Sequence, residues 1–209
     1  MRWDWVAAHL PSIWADLLEH VELTMIAVAC GLLIAIPLGI AAYRLRPLRD
    51  PLLAASDVLY AIPSLALFAM LIPFTGLTIV TSEIGLIGYT LLILLRNVVV
   101  GLEGVPADVR DAARGMGYRP AVQLLRIELP LAIPAIVAGI RIATVTTIGL
   151  VTVTALIGEG GLGRLILDGL IRDFKSPLLV GTVLSILLAL AADLGLAGAQ
   201  RLLTPWSRR

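Results

Sequence analysis

The most suggestive chemical pattern in the chain is the stretch from Gly158 to Gly163, which reads GEGGLG. Its G-x-G-x-x-G spacing matches the fingerprint that holds a dinucleotide pyrophosphate at the start of a helix. That fingerprint requires a short strand before it and an acidic residue about 20 positions later. Here a 17-residue uncharged segment, 142–158, leads into the glycines. We therefore interpret the match as accidental and predict a tight turn with positive φ angles.

The sequence lacks the residue spacings that ATP hydrolysis, metal binding or nucleophilic catalysis would require. The one lysine, Lys175, follows Phe174, whereas a phosphate-binding P-loop needs Gly-Lys-Ser or Gly-Lys-Thr. The chain has no His-Glu-x-x-His, no Gly-x-Ser-x-Gly and a single cysteine, Cys30. His9 and His20 are predicted to lie outside the membrane without partners. The sequence therefore predicts no enzyme activity and no metal site.

Composition is typical of a membrane protein. Of the 209 residues, 59% are hydrophobic and 15% are charged, and the mean hydropathy is +0.97, which is more apolar than a soluble core requires. The net charge of +1 and the scattered basic residues exclude a nucleic-acid surface. Residues 1–20 lack the apolar core of a signal peptide, so we expect the first apolar run to stay in the mature protein.

Five apolar segments are each about long enough to cross a bilayer core of roughly 30 Å as a helix. We predict an all-α membrane protein with a single domain over residues 1–209 and a cytoplasmic loop over 104–130. The five transmembrane helices are expected at about 21–43, 52–75, 84–103, 131–157 and 178–202. Eleven arginines flank the loops of one side and four basic residues those of the other. The positive-inside rule then places the N-terminus outside and the C-terminus in the cytoplasm.

Tryptophans, prolines and glycines refine this topology. Aromatic anchors are expected at the outer interface at Trp3, Trp5 and Trp14, and at the inner interface at Trp206. Prolines remove backbone donors, so we expect kinks at Pro37, Pro63, Pro73 and Pro134. Glycines would let helices approach closely at positions 31, 39, 139, 149, 181, 195 and 198.

Charged side chains inside a membrane are costly and indicate either function or pairing. Arg141 and Asp193 lie at a similar depth, roughly 15 Å from the cytoplasmic side, so we predict a structural ion pair. Attraction of Asp193 for a cationic substrate is the alternative. For the translocation path we add Tyr60, whose ring can face a cation, and Pro63 with Ser64, which should break the helix beside it. A core or lipid-facing position for Tyr60 stays open.

The loop between the third and fourth spans is the longest polar stretch. Pro106 and Pro120 fit the first turns of helices, which we predict at about 107–116 and 120–128. One face of the first helix carries four apolar residues at spacings of three and four: Val109, Ala112, Ala113 and Met116. Small apolar side chains favour docking on another protein over insertion into lipid.

This loop resembles the EAA signature of ABC importer permeases, E-A-A-x3-G-x9-I-x-L-P. The match begins at Asp111, which replaces the first Glu, and ends at Pro130. Other strings are similar to the osmoprotectant branch of that family: AIPSLAL at 61–67, RN at 96–97, AGIR at 138–141 and IGEGGLG at 157–163. Leu95 stands before the Arg-Asn pair, where that family usually has proline.

The resemblance implies a type I importer permease with a methionine-permease-like fold. In that family a coupling helix sits in a cleft of a cytoplasmic ATPase. Here the role would fall on Asp111, Ala112, Ala113, Arg114, Gly115, Met116 and Gly117. The resemblance also places a gate loop at the outer mouth of the pore, formed by Gly158, Glu159, Gly160, Gly161 and Gly163. ATP and Mg would be bound by the ATPase dimer, and no cofactor by this chain.

The implied partners are a second permease subunit, identical or paralogous, and an extracytoplasmic substrate-binding protein, with this chain in the plasma or inner membrane. The implied cargo is glycine betaine, choline, carnitine or proline betaine. Methionine and ergothioneine importers share the fold and parts of these strings, so they stay open. A secondary transporter or channel, and an assembly factor without transport, are the rival classes.

Overall fold

The computed structural model describes residues 1–205, so the expectation for Trp206 lies outside the described residues. Within them the chain forms ten α-helices. They are α1 (Trp3–Ala8), α2 (Leu10–Arg44), α3 (Arg46–Ala61), α4 (Ser64–Thr75), α5 (Ile79–Glu103), α6 (Ala107–Gly115), α7 (Pro120–Gln123), α8 (Leu129–Thr154), α9 (Leu162–Ile171) and α10 (Lys175–Leu203). A π-helical turn, Leu124–Glu128, joins α7 to α8, and a 3-10 turn, Ala155–Ile157, follows α8.

In the described part of the chain, four helical stretches are long and apolar enough to cross a membrane: Leu10–Arg44, Ile79–Glu103, Pro120–Ile157 and Lys175–Leu202. Helix α2 has 35 residues and is about 50 Å long, whereas the bilayer core is about 30 Å thick. Helix α2 therefore begins well before residue 21, where the first membrane span was predicted to start. The extra turns carry charged side chains out of the bilayer core.

The second predicted span, 52–75, consists of two helices. Helices α3 and α4 meet at an angle of 95°, and the break falls at Ile62 and Pro63, which are both extended. Proline has no backbone N–H and disfavours helical geometry in the residue before it. The predicted break at Pro63 and Ser64 is thus confirmed. Within residues 1–205 the other four predicted spans contain no such break. Helices run on through Pro37 in α2 and Pro134 in α8, and α4 itself runs on through Pro73.

The core of the bundle is formed by α2, α5 and α8. Glycines let these helices come close: a Cβ on Gly31 would lie 2.1 Å from Thr90 Oγ1, and one on Gly139 would lie 2.5 Å from Asn97 Cβ. Close approach is confirmed at these positions and at 39 and 181, whereas a Cβ at 149, 195 or 198 would meet nothing within 4 Å in the described part of the chain. Helices α9 and α10 pack together beside α8.

The loop helices lie near their predicted positions, with one difference. Helix α6 matches the first prediction, but the second predicted helix continues without a break through the π-helical turn into α8. Pro130 cannot donate to the carbonyl of Arg126, so a wider turn is tolerated there. The second part of the polar loop, from Pro120, and the fourth span therefore form one continuous helical stretch, Pro120–Ile157.

Candidate functional site

The glycine loop adopts the conformation that the sequence predicts. Gly158, Gly160 and Gly161 have φ angles of +97°, +122° and +47°, which side chains with a Cβ rarely adopt. The loop also packs tightly on its neighbours. A Cβ on Gly161 would lie 2.6 Å from the carbonyl oxygen of Asp16, and one on Gly163 would lie 2.4 Å from that of Thr152.

This loop does hold an anion, but the anion is a carboxylate of the same chain. The backbone N–H groups of Gly160 and Gly161 donate to Glu19 Oε1 at 3.2 and 3.1 Å. The guanidinium of Arg164 donates to both Glu19 oxygens, at 2.5 and 2.8 Å. Consecutive N–H groups around an oxygen form an anion-binding nest. We call Glu19, Gly160, Gly161 and Arg164 the clasp, because they fasten the N-terminal part of α2 to the start of α9.

Further acidic groups surround the clasp. Arg164 also lies 3.5 Å from Asp16 Oδ1 and 3.4 Å from Glu159 Oε2, so one guanidinium faces three carboxylates. Sequence reasoning missed Glu19, which is 141 positions from Gly160. The available signal was the excess of acids between residues 16 and 22, on turns that extend α2 beyond the apolar stretch.

The expectation of two partnerless histidines was wrong. His20 is fully buried, and its Nε2 lies 3.0 Å from the carbonyl oxygen of Ile148, because the early start of α2 carries His20 against α8. His9 stacks on Trp5 and contacts its carbonyl oxygen at 2.8 Å. Across residues 1–205, no His, Cys, Asp and Glu side chains are grouped as a metal site would require.

At the opposite end of the bundle, the residues of the predicted apolar face of α6 are divided between buried and exposed positions. Ala113 is fully buried, whereas Ala112 is exposed and Met116 is 68% exposed. Asp111 and Arg114 form an exposed ion pair at 3.2 Å, which contributes little to stability. The exposed surface of α6 thus presents apolar residues next to a pair of opposite charges, and it is accessible to a partner.

The end of α6 is held in a defined position. Gly117 has a φ angle of +80°, and the following N–H of Tyr118 donates to the Ala113 carbonyl at 3.2 Å, which closes the helix in a left-handed cap. Arg110 donates to the Tyr43 hydroxyl at 3.1 Å, and this hydrogen bond raises the pKa of Arg110. Movement of α6 is therefore tied to the end of α2.

The broken helix pair α3–α4 carries the predicted path residues Tyr60, Pro63 and Ser64. Tyr60 is 43% exposed and packs edge-on against Tyr89, with 5.6 Å between ring centroids. The Tyr89 hydroxyl donates to the carbonyl of Ile62, which satisfies an acceptor that the break releases. Tyr89 is a supporting residue that sequence reasoning did not find.

Arg96 lies on α5 and bonds to α3 of the same helix pair. Its Nη2 donates to both oxygens of Asp57 at 2.7 Å, and both side chains are about half exposed. This bond holds α3 against α5 beside the break. Asp57 and Arg96 therefore support the position of Tyr60 on α3.

The predicted pair of Arg141 and Asp193 is present. Arg141 donates from Nε and Nη2 to the two Asp193 oxygens at 2.9 and 3.0 Å, and from Nη1 to Gln200 Oε1 at 3.2 Å. The pair lies at one side of a largely apolar groove of about 610 Å³ between α8 and α10. No hydrogen bond joins it to Tyr60 or Ser64 within residues 1–205.

We expect Arg141→Ala and Asp193→Ala each to lower the thermal stability of the protein in detergent. Each leaves a charge in the membrane without its partner. The double variant should lose less than the sum of the two, by about 1 kcal/mol or more of interaction energy. Thermal unfolding of the three variants measures this cycle, and strictly additive losses would show that the pair contributes nothing.

Comparison with known proteins gives this arrangement a context. The profile of a family described as "Binding-protein-dependent transport system inner membrane component" matches residues 27–205. The choline transport system permease protein OpuBB of Bacillus subtilis is 38% identical over 187 residues, which is 90% of this chain and 86% of that protein. The osmoprotectant import permease protein OsmW of Salmonella typhimurium is 36% identical over 192 residues, 90% of this chain and 89% of that one.

Among solved structures, an inward-facing form of the MetNI methionine ABC transporter contains a chain with a similar fold. The TM-score is 0.83, and the match covers 94% of this chain and 98% of that chain at 21% identity. At this identity the likeness concerns the fold alone. It confirms the expected methionine-permease-like architecture.

Proposed function

The chain belongs to the family of binding-protein-dependent transport system inner membrane components, and we propose that its cargo is an osmoprotectant such as glycine betaine, choline, carnitine or proline betaine. It is a multi-pass membrane protein and the permease subunit of an importer. The substrate class is supported by the relatives named for choline and for osmoprotectants, which align with 90% of the chain.

In this proposal the exposed side of α6, from Asp111 to Gly117, docks into a cleft of a separate cytoplasmic ATPase. The ATPase dimer binds ATP and Mg, and this chain binds no cofactor. The observation that carries the assignment is the division of α6, with Ala113 buried against the bundle while Ala112 and Met116 face outward. A helix that packs against the bundle on one side and is exposed on the other can transmit force from a docked partner to the bundle.

ATP binding draws two such helices together, one from each permease subunit, and the subunits rock from inward-open to outward-open. The second subunit is a copy of this chain or a paralogue. The N-terminus lies outside and the C-terminus in the cytoplasm. Arg110 and its bond to Tyr43 link α6 to α2, and α2 extends to the clasp at the other end.

At the outer face, an extracytoplasmic binding protein delivers the substrate near the gate loop, Gly158 to Gly163. The clasp supports this role because it holds the loop against α2 at a fixed position. The substrate then passes along a path beside Tyr60, Pro63 and Ser64 and the pair of Arg141 and Asp193. The exposed ring of Tyr60 suits a quaternary ammonium cation.

Reconstitution in proteoliposomes tests this function. The chain, its cognate ATPase and its binding protein should together import labelled choline or glycine betaine only when ATP is present, and dissipating ion gradients should have no effect. Uptake that follows an ion gradient without the ATPase would contradict the proposal and favour a secondary transporter. Binding assays with methionine and ergothioneine on the binding protein would test the two rival substrates.

A further inference from the structure

A polar cleft of about 810 Å³ opens where α2, α3, α5 and the α6–α7 segment meet. It lies at the end of the bundle that carries α6, far from the clasp. Among the described residues, five arginines line it: Arg44, Arg46, Arg49, Arg110 and Arg114. Three carboxylates line it as well, so the sum of formal charges on its walls is positive.

The arginines differ in how far their charge is compensated. Arg49 bonds to Glu103 at 2.9 Å and to Asp50 at 3.3 Å, so it is neutralised. Arg44, in contrast, donates only to the carbonyl of Pro120 among the described residues. Arg46 has no hydrogen bond or ion pair within residues 1–205.

The two arginines of α6 are partly compensated. Arg114 pairs with Asp111. Arg110 donates to the Tyr43 hydroxyl, and this bond, together with the nearby charge of Glu128, raises the pKa of Arg110. Because the oxygen of Tyr43 already accepts from Arg110, its own O–H is available as a donor to a ligand. The uncompensated arginine charge and the available Tyr43 O–H are therefore suited to bind an anion with several acceptor oxygens.

The position of the cleft indicates the source of that anion. Arg44 is the last residue of α2 and Arg46 the first of α3, so both stand where a membrane-crossing helix leaves the bilayer. Leu45 and Leu48 beside them are 54% and 44% exposed. Basic side chains next to exposed apolar ones, at headgroup depth, match a lipid whose phosphate is bound and whose acyl chains run along the protein.

We propose that this cleft binds the phosphate of an anionic membrane lipid, with Arg44 and Arg46 as its main ligands and Arg110 and Tyr43 as further donors. The shared chemistry is that of any phosphate, and the apolar residues favour the lipid over the free ion. Since α6 forms one wall, a bound lipid braces the docking helix against the corner between α2 and α3. Lipid binding itself is independent of the proposed function, and only its effect on coupling depends on it.

Native mass spectrometry of the assembled transporter, titrated with phosphatidylglycerol, tests the proposal. Arg46→Gln should weaken retention about fivefold, and Arg44→Gln with Arg46→Gln about 30-fold, since each basic residue near the surface contributes about 1 kcal/mol. Arg46 is exposed and forms no hydrogen bond or ion pair within residues 1–205, so the single variant should fold normally. Arg126→Gln is the matched control, because Arg126 is also exposed and does not line the cleft.

Inorganic phosphate forms the second arm of the experiment. It should neither displace phosphatidylglycerol nor raise the melting temperature as the lipid does. Equal lipid retention by Arg46→Gln and Arg126→Gln would overturn the proposed site. Displacement of the lipid by inorganic phosphate at millimolar concentration would overturn the lipid as its source. Neither result would bear on whether the importer requires ATP, so this test is separate from that of the proposed function.

Discussion

Ala112→Asp is expected to reduce ATP-driven uptake more than 100-fold while leaving the permease folded in the membrane. Ala112 is exposed on the outer side of α6, so an aspartate there meets only water in the isolated subunit. In the docked complex the same carboxylate would be buried against the ATPase without a partner. An unpaired buried charge costs about 3–5 kcal/mol, which weakens an interface by two orders of magnitude or more.

Ala107→Asp is the matched control for this prediction. Ala107 is also an exposed alanine of α6, but it is the first residue of the helix, where an acidic side chain is favourable. It also lies outside the segment from Asp111 to Gly117. Uptake and pull-down of the ATPase should be close to wild type in this variant. If Ala112→Asp still bound the ATPase and transported at the normal rate, α6 would not be the docking element.

The sequence predicted where helices exist better than where they begin or bend. Long apolar stretches identify membrane helices because few other structures satisfy the backbone inside lipid. The same signal ends where charged residues interrupt the apolar run, so it missed the turns of α2 from Leu10 onward. These turns carry Asp16 and Glu19 and are held by contacts with other elements. Likewise, Pro63 indicated a break, but the 95° angle depends on the packing of both halves against α5.

The candidate site shows the same division between local and distant information. The pair of Arg141 and Asp193 was predictable, because depth in the membrane follows from counting residues along two helices. The loop motif of α6 was also local, although the sequence did not show that Ala113 would face inward and Ala112 outward. The clasp was not predictable, since nothing in the spacing of residues links Glu19 to glycines more than 100 positions away.

Glu19→Gln is expected to lower the melting temperature of the protein in detergent by several degrees and to reduce uptake strongly. The substitution keeps the size of the side chain but removes the charge that Arg164 and two backbone N–H groups share. Hydrogen bonds to charged groups contribute about 1.5–3 kcal/mol, and partial exposure of Glu19 and Arg164 reduces this to roughly 1–3 kcal/mol. A loss of that size corresponds to about 2–10 °C in a chain of this length.

Glu22→Gln separates the clasp from a general effect of negative charge on the N-terminal turns of α2. Glu22 lies one turn along α2, is exposed and forms no hydrogen bond or ion pair within residues 1–205. Its charge faces that of the buried Glu83, so its variant should melt no lower than the wild type and transport at a similar rate. Arg164→Gln should resemble Glu19→Gln, because it leaves Asp16, Glu19 and Glu159 facing one another without a cation. If Glu19→Gln and Glu22→Gln proved equally mild, the glycine loop would be held by packing alone. Its N–H groups would then contribute no more than any solvated turn.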